Sequence, residues 1–214
     1  MTGSSFFTST SNAGNPSIGT YEKTPPDFYE TLEESLSTSG FKDVKSMVKY
    51  SKEVIDYLVD NGLTKKYNVT KSDAMALAIY TYDNGQENFE SNPYRMINKA
   101  LGERNTEAVL QLRGYILRLL AALRKLPKYN SEAANGSKLY RAVTNVSENA
   151  KKVGNVLTWP AFTSTSTDED TVVDFFNNIG DERGEKYIFE ISGCFNKGHN
   201  IKEFSFHPDE DGKK

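Results

Sequence analysis

Three stretches of the chain carry residue types that could do chemistry. Arg141 stands inside an apolar run, Leu139-Tyr140-Arg141-Ala142-Val143. A planar guanidinium matches the oxygens of a phosphate, so an inward-facing arginine here would clamp an anion. An outward-facing one would simply be solvated, which is the commoner fate of arginine in a strand. Phe162-Thr163-Ser164-Thr165-Ser166 offers hydroxyls in succession. Hydroxyls donate and accept and so suit a polar ligand, but such a run is also what β propensity favours. Asp209-Glu210-Asp211 by itself reads as a solvated acidic loop. His199 and His207, the latter beside Pro208, read as loop histidines. With two histidines and one cysteine, scattered along the chain, there is no metal-ligand set. Neither a phosphate-cradling glycine loop nor a Ser-His-Asp arrangement is present.

These residues need elements to hold them. Residues 1–26 are rich in Ser, Thr, Asn, Gly and Pro without a period, and read as a flexible tail. Phe28, Leu32 and Leu36 repeat every four residues and point to a helix ending at Gly40. Asp43 to Asp60 carries an amphipathic pattern stopped by Asn61-Gly62. Thr70 and Asp73 form a capping-box-like pair ahead of Ala74 to Tyr82. The clearest helix runs from Glu107 to Leu126, with Leu112, Ile116, Leu119 and Leu123 on one face and Pro127 after it. Beyond Pro127 the pattern turns strand-like at 138–143, 156–159, 162–165, 186–191 and 201–206, interrupted by a helix near 169–176. The expected class is α+β: a helical lobe over 27–127 packed on a mostly β core over 128–214.

Bulk properties narrow the function. With 214 residues, 37% hydrophobic and a net charge of -3, the chain is sized for one domain with no electrostatic footprint for nucleic acid. No run approaches the roughly 18 apolar residues of a membrane span. The N-terminus lacks the basic start and apolar core of a secretory signal, no hydrophobic tail marks a lipid-anchor signal, and Cys194 is alone. These features point to a cytoplasmic monomer that touches neither nucleic acid nor membrane. Three Asn-x-Ser/Thr sequons, at Asn68, Asn135 and Asn145, carry little weight in so Asn- and Ser-rich a chain.

In order, a strand Arg, a strand Phe-x-Ser-x-Ser and a late acidic cluster resemble the Arg–Ser–Glu signature of the arginine-specific mono-ADP-ribosyltransferases. The resemblance extends to Leu77 to Gly85, to Pro93-Tyr94-Arg95-Met96-Ile97-Asn98 and to Phe204-Ser205-Phe206-His207-Pro208, and covers roughly residues 27 to 211. It implies a helical lobe docked on a two-sheet β-sandwich that binds NAD, which serves as substrate, with no metal. It also implies roles. Arg141 would hold the NAD phosphates, with Asn145 adding polar contacts. Ser164, with Thr165 and Ser166 beside it, would hold the ribose. One of Phe175 and Phe176, with Phe176 the candidate, would stack near the nicotinamide.

The same resemblance implies the reaction: ADP-ribose moves from NAD+ to an arginine of a protein acceptor. Breaking the nicotinamide–ribose bond develops oxocarbenium character, which a carboxylate stabilises. In the family the second Glu of a Glu-x-Glu motif does this, and the first orients the incoming guanidinium. The first Glu matches Glu210, but Gly212 stands where the second is expected. The chain ends at Lys214, soon after its last expected strand, so the sheet is expected to lack its closing strand. The expectation is a transferase with impaired activity; the alternative is a catalytically inactive NAD-binding or protein-interaction module.

Overall fold

The computed structural model describes residues 4–5, 31–83, 91–130, 138–148, 150–178, 184–193 and 195–205. Helices fill the first half. α1 (Leu32–Thr38) begins at a reciprocal cap: the Glu34 N–H donates to the Thr31 hydroxyl at 3.2 Å, and the Thr31 N–H donates to the Glu34 carboxylate at 2.7 Å. α2 (Val44–Asp60) stops where Gly62 takes a φ of 68°, a left-handed conformation that glycine adopts without strain. A short α3 (Leu63–Lys66) follows. α4 (Lys71–Tyr80) starts at the Thr70–Asp73 box, whose two backbone bonds measure 2.8 and 3.2 Å. α5 (Pro93–Gly102) opens on proline, whose fixed φ suits the first turn. α6 (Thr106–Lys125) is the longest.

The core sits around α6, which packs against α1, α4 and α5. Leu112, Ile116, Leu119 and Leu123 are all buried on it, as the four-residue spacing requires. Each fully buried leucine contributes on the order of 2 kcal/mol. α4 is buried on nearly every side, so it is the inner helix of the lobe. Two polar bonds fix the register of α4 against α6. The Tyr115 hydroxyl donates to the Ala76 carbonyl at 2.6 Å, and Lys125 Nζ meets Asp73 at 2.5 Å. Burial pushes the Asp73 carboxyl up, but the bonds from Lys125 and Thr70 outweigh it and hold the group below its ordinary range.

Two small antiparallel sheets, built from the second half together with Ser4–Ser5, make the architecture α+β. One contains β1 (Ser4–Ser5), β5 (Phe195–Asn200) and β2 (Lys128–Asn130), in that order; the other pairs β3 (Leu139–Thr144) with β4 (Lys186–Ile191). α7 (Glu169–Asn178) packs on β3 and β4. Several sequence expectations change. Residues 156–159 and 162–165 form no strand; Ser166 instead makes an isolated bridge to Tyr140. Of the run expected as a strand over 201–206, the described part, 201–205, holds a 3-10 helix over Lys202–Phe204, because its apolar residues Ile201 and Phe204 plug the helical core rather than alternate across a sheet. Ser4–Ser5, within the expected tail, pair with Asn200 and His199.

His199 is not a loop histidine. It lies in β5, 1% exposed, with Nδ1 donating to the Leu126 carbonyl at 2.9 Å and Nε2 accepting from Lys128 Nζ at 3.1 Å. Both roles require the neutral ring. Burial and the Lys128 charge push its pKa below the ordinary value, against the opposing pull of the Leu126 and Pro127 carbonyls. The folded state therefore binds this proton less readily than the unfolded one, so the stability His199 confers is complete above its unfolded pKa, roughly 6.5, and is lost as pH falls from there through the folded value. Urea midpoints taken from pH 8 to pH 5 should fall below about pH 6.5, and His199→Gln should flatten that limb; an unchanged slope in the variant would assign the limb elsewhere.

Candidate active site

The site grows from the β3–β4 pair. The register sets Arg141 opposite Phe189 and Val143 opposite Tyr187. Alternation along β3 puts Arg141, Val143 and, just past the strand, Asn145 on one side. They open on a cleft of about 460 Å³ whose wall also includes Arg95, Leu157, Trp159 and Phe189. Asn145 holds a φ of 55°, and its N–H donates to the Glu185 carbonyl at 2.9 Å. Asparagine tolerates this left-handed conformation better than most residues. The adjoining Gly184 is needed too: a Cβ there would run into the Asn145 side chain.

Arg141 is half-buried. One Nη donates to the Ser164 carbonyl at 2.8 Å, the guanidinium carbon lies 5.5 Å from the Trp159 ring, and Nε is buried without a hydrogen-bond partner. Burial lowers its pKa, opposed by Tyr80, but a guanidinium stays charged at neutral pH. Among the described residues no carboxylate pairs with it. The result is a partly desolvated cation facing a cleft, with donor capacity unused.

The hydroxyl segment is placed by the helical lobe. Phe162 is 1% exposed and packs on Tyr80 at 5.5 Å between ring centroids. The Tyr80 hydroxyl, pushed up by burial, meets the side chains of Asn98 and Ser164. Ser164 thus joins the end of α4 to Arg141. Thr165 and Ser166 are both buried. Ser166 exchanges backbone bonds of 2.8 and 3.0 Å with Tyr140, and its hydroxyl accepts the Asp168 N–H at 3.0 Å ahead of α7.

Arg141 and Asn145 share the cleft, and Ser164 touches Arg141 through its carbonyl. Ser164, Thr165, Ser166 and Phe176 are not among the cleft-lining residues; Phe176 sits on α7 with Lys186 Nζ 5.7 Å from its ring. The Phe175 side chain, Glu210 and Gly212 lie outside the described residues. Reading the sequence missed Trp159, Phe189 and Arg95 as cleft residues. The only local signal was the single tryptophan just ahead of the hydroxyl run.

Fold and cleft together define an α+β protein in which a half-buried guanidinium faces a cleft lined by the strand pair and by Arg95 of the helical lobe. The family model described as NAD:arginine ADP-ribosyltransferase matches residues 31–213, and the chain belongs to that family. Membership implies a mono-ADP-ribosyltransferase that uses NAD as its substrate. Comparison with curated proteins and with solved structures found no match.

An uncompensated cation held for a ligand costs stability in the ligand's absence. Arg141→Met should therefore stabilise the ligand-free protein by about 1 kcal/mol, raising Tm by roughly 2–4 °C for a domain of this size. The same variant should lose any rise in Tm produced by NAD. A lower Tm for the methionine variant in calorimetry would show that Arg141 is structural instead.

Proposed function

We propose that this chain binds NAD+ beside Arg141 as an arginine-directed ADP-ribosyltransferase whose transfer to an acceptor protein is impaired, because Gly212 stands where the catalytic Glu is expected. One observation carries the reading: a half-buried guanidinium, without a carboxylate among the described residues, faces a cleft that also holds Asn145. Such a cation favours an anionic ligand, and the NAD pyrophosphate is the anion that family membership supplies. In this reading Arg141 holds the pyrophosphate. Asn145 and Ser164 contribute polar contacts to the sugar, with Thr165 and Ser166 shaping the segment that carries Ser164.

In the reaction, the bond from ribose C1′ to the nicotinamide nitrogen breaks, and its electron pair leaves with neutral nicotinamide. C1′ gains oxocarbenium character, a guanidine nitrogen of the acceptor bonds to it, and that nitrogen releases a proton. Glu210 is assigned to the acceptor guanidinium, because a carboxylate is its natural partner. Gly212 supplies no carboxylate to the developing positive charge. That residue favours a second reading, an inactive NAD-binding module, over full activity.

Two measurements separate these. In titration calorimetry Arg141→Ala should weaken NAD binding by about 2 kcal/mol, roughly thirtyfold, and Arg141→Lys should recover little because a point charge cannot reproduce the fork. Equal affinities for the three proteins would remove Arg141 from the phosphates. In transfer assays with agmatine the native chain should be nearly inert. Gly212→Glu should raise transfer at least about tenfold, the equivalent of 1.4 kcal/mol off the barrier, and adding Glu210→Ala should abolish transfer while sparing NAD hydrolysis. A Gly212→Glu protein that binds NAD yet labels no arginine would leave the inactive-module reading in place.

A further inference from the structure

Trp159 is the chain's single tryptophan. It belongs to no helix or strand, is half-buried between the exposed Thr158 and Pro160, and is not part of the buried hydrophobic cluster. Core packing therefore does not account for so large a side chain. The indole instead lines the cleft beside Arg141. Phe189 meets it edge-on, at 5.6 Å between centroids and 85° between planes, and the Arg141 guanidinium carbon is 5.5 Å from its ring.

We infer that Trp159 is the stacking platform for the adenine of NAD, an inference that rests on Arg141 being the pyrophosphate anchor. A pyrophosphate held there has an aromatic ring one ribose away on each side, and the indole stands within that reach. The charge already present chooses between the rings. Arg141 sets a cation against the indole, so the cationic pyridinium of NAD+ would add a second positive charge to the same π-system. Neutral adenine stacks without that repulsion. The edge contact from Phe189 restrains the indole before binding, which lowers the entropy lost when a base arrives.

Calorimetric titration with ADP-ribose, which carries adenine alone, and with nicotinamide mononucleotide, which carries the pyridinium alone, tests this. Trp159→Ala should lose on the order of tenfold in ADP-ribose affinity and clearly less in nicotinamide mononucleotide affinity, which feels the indole only through its contact with Arg141, and Trp159→Phe should restore most of the loss. Trp159→Leu, which keeps apolar bulk without a π face, should bind ADP-ribose as poorly as the alanine variant and serves if that variant does not fold. ADP-ribose should also perturb Trp159 fluorescence in the native chain. The inference is overturned if Trp159→Ala or Trp159→Leu binds ADP-ribose like the native chain, or if nicotinamide mononucleotide loses as much affinity as ADP-ribose or more. In either case Arg141→Ala would still weaken both ligands and the NAD reading would stand; a native chain that binds neither ligand would sink that reading itself.

Discussion

Arg141 brings a permanent positive charge into a half-buried position, and no described carboxylate offsets it. Desolvating an ion costs several kcal/mol even after relaxation, so the surroundings must hold the side chain in place by other means. The Ser164 carbonyl takes one donor, and the Trp159 ring lies against the guanidinium. Those two partners come from a segment that is neither helix nor strand. It keeps its shape through the Tyr140–Ser166 bridge on one side and the Tyr80–Phe162 contact on the other. The charge is therefore supported by both halves of the chain.

The helical lobe thus contributes directly to the site. α4 and α6 pack together in the core, locked in register by Tyr115–Ala76 and Lys125–Asp73. Tyr80, the last residue of α4, extends that rigidity into the site: its ring supports Phe162 and its hydroxyl meets Ser164. The segment that carries Ser164 and Trp159 beside Arg141 is thereby anchored in the packed helical core.

The helices were legible because their signals are local. The capping pair Thr70–Asp73, the stop at Asn61-Gly62 and the four-residue spacing of α6 each depend only on neighbours in sequence. Short apolar runs were read less well. Residues 156–165 have strand-like composition, yet Phe162 is drawn into the helical core and the backbone around it makes isolated bridges rather than a continuous strand. The apolar residues near 201 are claimed the same way. In such runs periodicity does not say which neighbour will bury them, and tertiary packing overrides propensity.

The same division runs through the site. The sequence by itself determined the chemistry on offer: a guanidinium in an apolar strand, an asparagine four residues on, a hydroxyl run behind a phenylalanine, and glycine at position 212. It also determined the family, whose model matches residues 31–213. Only the tertiary structure decided that Arg141 is half-buried rather than solvated, that Trp159 and Phe189 join it in one cleft, and that His199 is a neutral buried link rather than a loop residue. The reason is that side-chain chemistry is a property of the residue, whereas burial, charge compensation and ring contacts arise between residues far apart in the chain. Arg141 acquires its character from Ser164 and Trp159, and His199 from Leu126 and Lys128, partners that come together only when the helical core has closed.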